Sequence, residues 1–110
     1  MTETSFRKIA VAMQGAIESA HMGHPDFRAN GKIFATLYGD EKFAMVKLTP
    51  EQQQEFIRDF PAMFVPEKGA WGRSGSTRVI LKAADEEVVG HAMTLAWQNT
   101  KVKAKTTKVR

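Results

Sequence analysis

The run Lys68-Gly-Ala-Trp-Gly-Arg-Ser-Gly-Ser-Thr-Arg-Val-Ile-Leu81 sets three glycines, two arginines and several hydroxyls ahead of an apolar stretch. A phosphate-cradling loop would need a lysine directly before a hydroxyl residue, then a helix whose N-terminus receives the phosphates. Here the glycines lead into Thr77-Arg-Val-Ile-Leu81, a β-branched run that reads as a strand over Thr77–Lys82. With a short strand at Met63–Pro66, the glycines are expected to shape a hairpin loop between the last two strands, not a nucleotide site.

Working upstream, Thr49-Pro50-Glu51-Gln52 places a hydroxyl at an N-cap, proline at the first helical position and a glutamine to close a capping box. A helix follows, with Phe56, Ile57 and Phe60 on its apolar side, and Pro61 stops it near Asp59 or Phe60. Before it, Lys32–Tyr38 and Lys42–Leu48 read as a hairpin around Gly39-Asp40-Glu41, with Gly39 supplying a positive φ. Simple alternation puts Ile33, Ala35 and Leu37 on one side and Phe34, Thr36 and Tyr38 on the other. In the second strand Ala44, Val46 and Leu48 alternate with Phe43, Met45 and Lys47. Asp26–Ala29, before the Asn30-Gly31 turn signal, adds an edge strand. Phe6, Ile9, Ala10, Met13, Ile17 and Ala20 recur at helical spacing, predicting a first helix over 5–20 that Gly23-His24-Pro25 ends. Downstream, Asp85-Glu86-Glu87 opens a last helix whose buried stripe is Val88, Val89, Ala92, Met93, Ala96 and Trp97.

The order α-β-β-β-α-β-β-α predicts an α+β two-layer sandwich, α-β(3)-α-β(2)-α, with a mostly antiparallel sheet and the helices packed on one face. The 110 residues suit one domain over 1–100, followed by a basic C-terminal tail over 101–110. Cysteine is absent, which excludes disulfides and thiolate chemistry and suits a reducing cytoplasm. No apolar run approaches the roughly 20 residues of a spanning helix, and the N-terminus lacks a signal-peptide pattern, so a soluble cytoplasmic protein with no membrane contact is expected. The net charge of +4 is concentrated at one end: five basic residues lie in 101–110, leaving eleven against twelve acidic side chains in the first 100.

Enzyme motifs fail residue by residue. Arg73-Ser74-Gly75 lacks the Gly-x-Ser-x-Gly spacing of a nucleophile elbow and its following helix. Asp40-Glu41 and Glu86-Glu87 occupy conventional surface places, and His91 reads as a helix-boundary histidine. His21, His24 and Asp26 are the one group with metal-ligand chemistry; at a helix-to-strand junction such residues cap ends or face water. The expectation is a non-enzymatic protein with no cofactor and no metal.

Two longer segments, Gly23-His-Pro-Asp-Phe-Arg-Ala-Asn-Gly-Lys-Ile-Phe-Ala-Thr-Leu37 and Gly69-Ala-Trp-Gly72 with Ala96-Trp97, together with Leu48-Thr-Pro-Glu-Gln52 and Phe64-Val-Pro66, carry a resemblance. Over nearly the whole chain they resemble the MmcQ/YjbR-like family of small bacterial proteins. The resemblance implies the sandwich already read from the elements, an architecture shared with type III secretion chaperones. It also implies DNA binding, because the fold is similar to the double-wing domain of a phage transcription factor. The positions matching a DNA-facing surface are Lys32, Lys47, Arg73, Arg78 and Lys82, with Lys101 and Lys103 from the tail. These cations are interspersed with acids and carry no base-reading signature, so the expected contact is weak and salt-dependent. Protein binding is the alternative, through an exposed sheet face bearing Phe34, Tyr38, Phe43 and Met45, to a partner or a second copy. A third reading is a small-molecule pocket near Arg28 and Trp71.

Overall fold

The computed structural model describes residues 1–39 and 42–101. Its elements are α1 (Glu3–Val11), β1 (Ile17–His21), β2 (His24–Ala29), β3 (Lys32–Tyr38), β4 (Phe43–Lys47), α2 (Pro50–Asp59), β5 (Phe64–Pro66), α3 (Gly69–Arg73), β6 (Ser76–Ile80), a 3-10 turn (Leu81–Ala83) and α4 (Glu86–Asn99). The six strands form one antiparallel sheet in the order β1-β2-β3-β4-β6-β5. The α+β class and the antiparallel layering are as expected.

Local chemistry explains the two longest helices. At α2, Thr49 Oγ1 accepts from the Gln52 amide at 3.1 Å and Gln52 Oε1 accepts from the Thr49 amide at 3.0 Å, a complete capping box with proline at the first turn. At α4, Asp85 Oδ1 accepts from the Glu87 and Val88 amides, satisfying two donors that helix geometry leaves open.

The structure departs from the expected elements at both ends of the sheet. The first helix stops at Val11 instead of continuing to residue 20, and Gly15 turns the chain at φ +76°. The Trp97 Nε1–H donates to Gln14 O at 2.8 Å and fastens that turn, after which Ile17–His21 pairs with β2. Pairing with a neighbouring strand overrides a helical spacing here. Met22 (φ 51°) and Gly23 (φ 81°) then make a two-residue hairpin turn with both residues left-handed, the backbone a type I′ turn requires. Pro25 therefore sits inside β2 and ends no helix.

The second departure is the glycine-rich run. Its flanking strands do pair, Phe64 with Val79 and Pro66 with Thr77, but α3 stands between them. A Cβ on Gly72 would lie 1.8 Å from Glu67 O, and one on Gly75 (φ +111°) 1.9 Å from Leu48 O. These glycines are required by close backbone crossings. The buried Gln53 side chain of α2 locks the crossing, its Nε2 donating to Gly72 O and Ser76 O at 3.0 Å each. Gly39 is not left-handed; Lys42 takes the positive φ (61°) of the β3–β4 turn, and a Cβ on Gly39 would meet the Glu3 carboxylate.

One sheet face carries the core. Phe27, Leu37, Ala44, Val46, Phe64 and Val79 pack with Phe6 and Ala10 of α1, Phe56 of α2, and Val89, Ala92, Met93 and Ala96 of α4. Between β2 and β3 the register slips by one: Phe27 faces Ala35, yet Arg28 faces Ile33. The extra residue is Phe34, and the bulge sends Phe34 and Ala35 together into the core. Phe34 is therefore fully buried, correcting its expected place on an exposed face.

Candidate functional site

On the other face of the sheet the same alternation presents Asp26 from β2, Thr36 and Tyr38 from β3, Phe43, Met45 and Lys47 from β4, and Ser76 and Arg78 from β6. Thr36, Tyr38, Phe43, Met45, Lys47, Ser76 and Arg78 line a groove of about 650 Å³. Its rims hold the two most exposed large apolar side chains among the described residues: Met22 of the β1–β2 turn, 91% exposed, and Trp71 of α3, 70% exposed. The aromatic centre is ordered by ring contacts, with Tyr38 5.1 Å from Phe43 and His24 4.8 Å from Tyr38.

The charges on this face are unequal. Arg78 donates from Nε to Glu67 Oε1 at 2.7 Å while its guanidinium lies 4.0 Å from the Phe43 ring centroid, so it is already paired and stacked and it buries Phe43. Lys47 differs. Its ammonium donates only to neutral oxygens, Ser74 O at 3.3 Å, Ser74 Oγ at 3.0 Å and Ser76 Oγ at 3.5 Å, and burial pulls its pKa below the ordinary lysine value. Among the described residues it has no carboxylate partner. Thr36 Oγ1, beside Met45 in register, is the one buried side-chain polar atom of the described residues without a hydrogen-bond partner.

At one end, Asp26 is fully buried. It accepts from Arg28 Nε at 2.7 Å and Arg28 Nη2 at 3.0 Å, and from His21 Nδ1 at 2.7 Å. The Arg28 hydrogen bond holds the Asp26 carboxyl below its ordinary value despite the opposing effect of burial, and Asp26 in turn raises Arg28. His21, His24 and Asp26 therefore belong to a β-hairpin and not to a helix junction. Among the described residues no three such side chains converge as metal ligands.

The cations expected at a nucleic-acid surface come from several elements, β3, β4, α3, β6 and the 3-10 turn. Lys47 and Arg78 line the groove; Lys32 and Lys47 border a second cavity with Arg28 at the β2–β3 end. Arg73 is exposed at the end of α3, and Lys82 is exposed on the 3-10 turn. Lys101 sits 3.9 Å above the Trp97 ring, and Lys103, like the rest of the expected tail, lies outside the described residues. Arg28 and Trp71, expected to share one pocket, line different cavities. Of the four residues expected on an exposed face, Tyr38 and Met45 are partly exposed there, Phe43 lies beneath Arg78, and Phe34 is in the core. Sequence reasoning missed Thr36 as a site residue, since a strand threonine carries no local signal. Among the described residues no helix is long and apolar enough to cross a membrane.

Comparison with known proteins agrees with this architecture. A family model described as YjbR matches residues 11–99. The crystal structure of Deinococcus radiodurans protein DR2400, with the family-model domain DUF419, is similar to this chain with a TM-score of 0.76 at 15% identity, covering 96% of this chain and 83% of that one. No curated protein matches.

Proposed function

We propose, from the premise that the chain belongs to the YjbR family, that the domain is a non-enzymatic binding module working through the open face of its sheet, opposite the core. The observation that carries this reading is the groove itself: Tyr38, Phe43 and Met45 at its centre, with Met22 and Trp71 held out at its rims. Apolar surface left open beside a few placed polar groups is the usual make-up of a ligand site. The groove's carboxylate–imidazole pair favours a structural role. Asp26 is buried and kept ionised by Arg28, which makes it a weak proton acceptor and a means of orienting His21.

The test is a thermal-shift panel of small molecules, peptides and duplex DNA, run on the wild type and on Met45→Asp, which places a charge at the middle of the face. Ligands should raise the melting temperature of the wild type and lose that effect in the variant. Hits that stabilise Met45→Asp equally, or turnover of any hit, would overturn the reading.

DNA binding is the second reading, and the observation favouring it is α3, where exposed Trp71 lies between exposed Lys68 and Arg73. An aromatic surface flanked by cations suits stacking and phosphate contact. Anisotropy of a labelled duplex should then rise at low salt, fall steeply with added salt, and weaken in Trp71→Ala. A flat response at low salt ends this reading.

A further inference from the structure

Building on the open face as the binding surface, we infer that its ligand is a small organic anion with a flat apolar body, its acid group seated at Lys47 and Ser76 and its body lying over Met45 between Tyr38 and Trp71.

Three independent features lead there. The first is Lys47. Its partly buried ammonium donates to neutral oxygens and has no carboxylate partner among the described residues, a state that an incoming anion relieves. Arg78 cannot fill that role as well, because Glu67 already neutralises it. Lys68, exposed on the same groove, adds a second cation near the mouth, so the lining favours negative charge.

The second feature is Thr36. Its hydroxyl is buried and unpartnered on the floor of the groove, next to the side chain of Met45. Buried hydroxyls are rarely left unmatched, and methionine is the apolar side chain that shifts most easily to admit a new neighbour. A polar substituent on the ligand body would satisfy it. The third is size. A groove of about 650 Å³ falls within the size range of small-molecule sites. The partly exposed ring of Tyr38 and the indole of Trp71 on the rim suit a planar body.

The experiment uses two dyes with the same aromatic body, anilinonaphthalene sulfonate and the uncharged phenylnaphthylamine, titrated into the full chain while near-ultraviolet circular dichroism reports the native fold. The sulfonate dye should saturate at one per chain and bind more tightly than the neutral one. Lys47→Met should weaken the sulfonate dye about tenfold, the loss expected for one charge-assisted contact, and leave the neutral dye within about twofold. If Lys47→Met does not fold, Lys47→Gln, which keeps a donor toward Ser74, gives the same readout. Should both dyes bind, both fail with Met45→Asp, and Lys47→Met spare the sulfonate dye, the anion assignment falls while the open face stands. If both dyes bind Met45→Asp unchanged, or neither saturates, the surface reading fails with it.

Discussion

The two faces of the sheet are built from the same strands and end in opposite states. On the covered face, Phe27, Leu37, Val46 and Val79 meet helix side chains at almost no exposure, and the polar Thr77 has its hydroxyl bonded to Gly75 O at 2.8 Å. On the open face, among the described residues, Thr36 Oγ1 has no hydrogen-bond partner and Lys47 has no acid, and Met45 is partly exposed. The covered face is complete as it stands. The open face has polar groups whose requirements the described residues do not meet, which is where an external partner would add the most.

The contrast breaks most visibly with paired truncations. Phe34→Ala should cost about 3–5 kcal/mol, the range for emptying a buried aromatic site, whereas Met45→Ala should cost about 1 kcal/mol or less. Urea unfolding measures both; equal losses would erase the distinction between the faces. Next in size is Gln53→Leu, which removes the side-chain donor shared by the Gly72 and Ser76 carbonyls while leaving each its backbone donor, Gly75 N and Glu67 N; losing two hydrogen bonds should cost about 1–3 kcal/mol, read as a lower urea midpoint. A leucine that unfolds at the wild-type midpoint would show that the glycine crossing does not depend on α2.

Asp26→Asn has a smaller effect and a definite pH signature. The folded carboxyl titrates below its ordinary 3.8, so its contribution to stability is fully present above that value and is lost as pH falls through the folded pKa. The wild type should therefore exceed the variant in melting temperature at neutral pH, and the gap should close on acidification below 3.8. A gap that is constant with pH would remove Asp26 as an ionised element of the face. The smallest effect is a gain: Thr36→Val keeps the shape, removes an unmatched hydroxyl, and should stabilise the free protein by up to about 1 kcal/mol. Destabilisation by valine would mean that the hydroxyl is already satisfied.

Much of the covered side was legible because its signals are local. Thr49-Pro50 with Gln52, Asp85 before Glu86-Glu87, and Asn30-Gly31 each announce an end or a turn through atoms a few residues apart. β1 was illegible because Ile17 and Ala20 also fit a helical stripe, and only pairing with β2, a contact made across the hairpin, decides between the two. α3 escaped because five residues carry no period; its trace was Gly75, left-handed just beyond the Ser74 cap. Of the site, Lys47 and Arg78 were named through the family resemblance and Trp71 as a pocket residue, but which cation is neutralised depends on Glu67, eleven residues from Arg78 along the chain. Thr36 and Gln53 matter only through their burial, and burial at those positions is a property of the assembled layers.

In an unbroken strand, positions three apart look in opposite directions, yet Ile33 and Thr36 border the same hollow. The inserted phenylalanine between them absorbs the odd step, so a chain one codon shorter at position 34 would keep every remaining pair in phase and lose only the ring from the interior. Which residues this sheet offers outward is thus governed by counting as much as by chemistry.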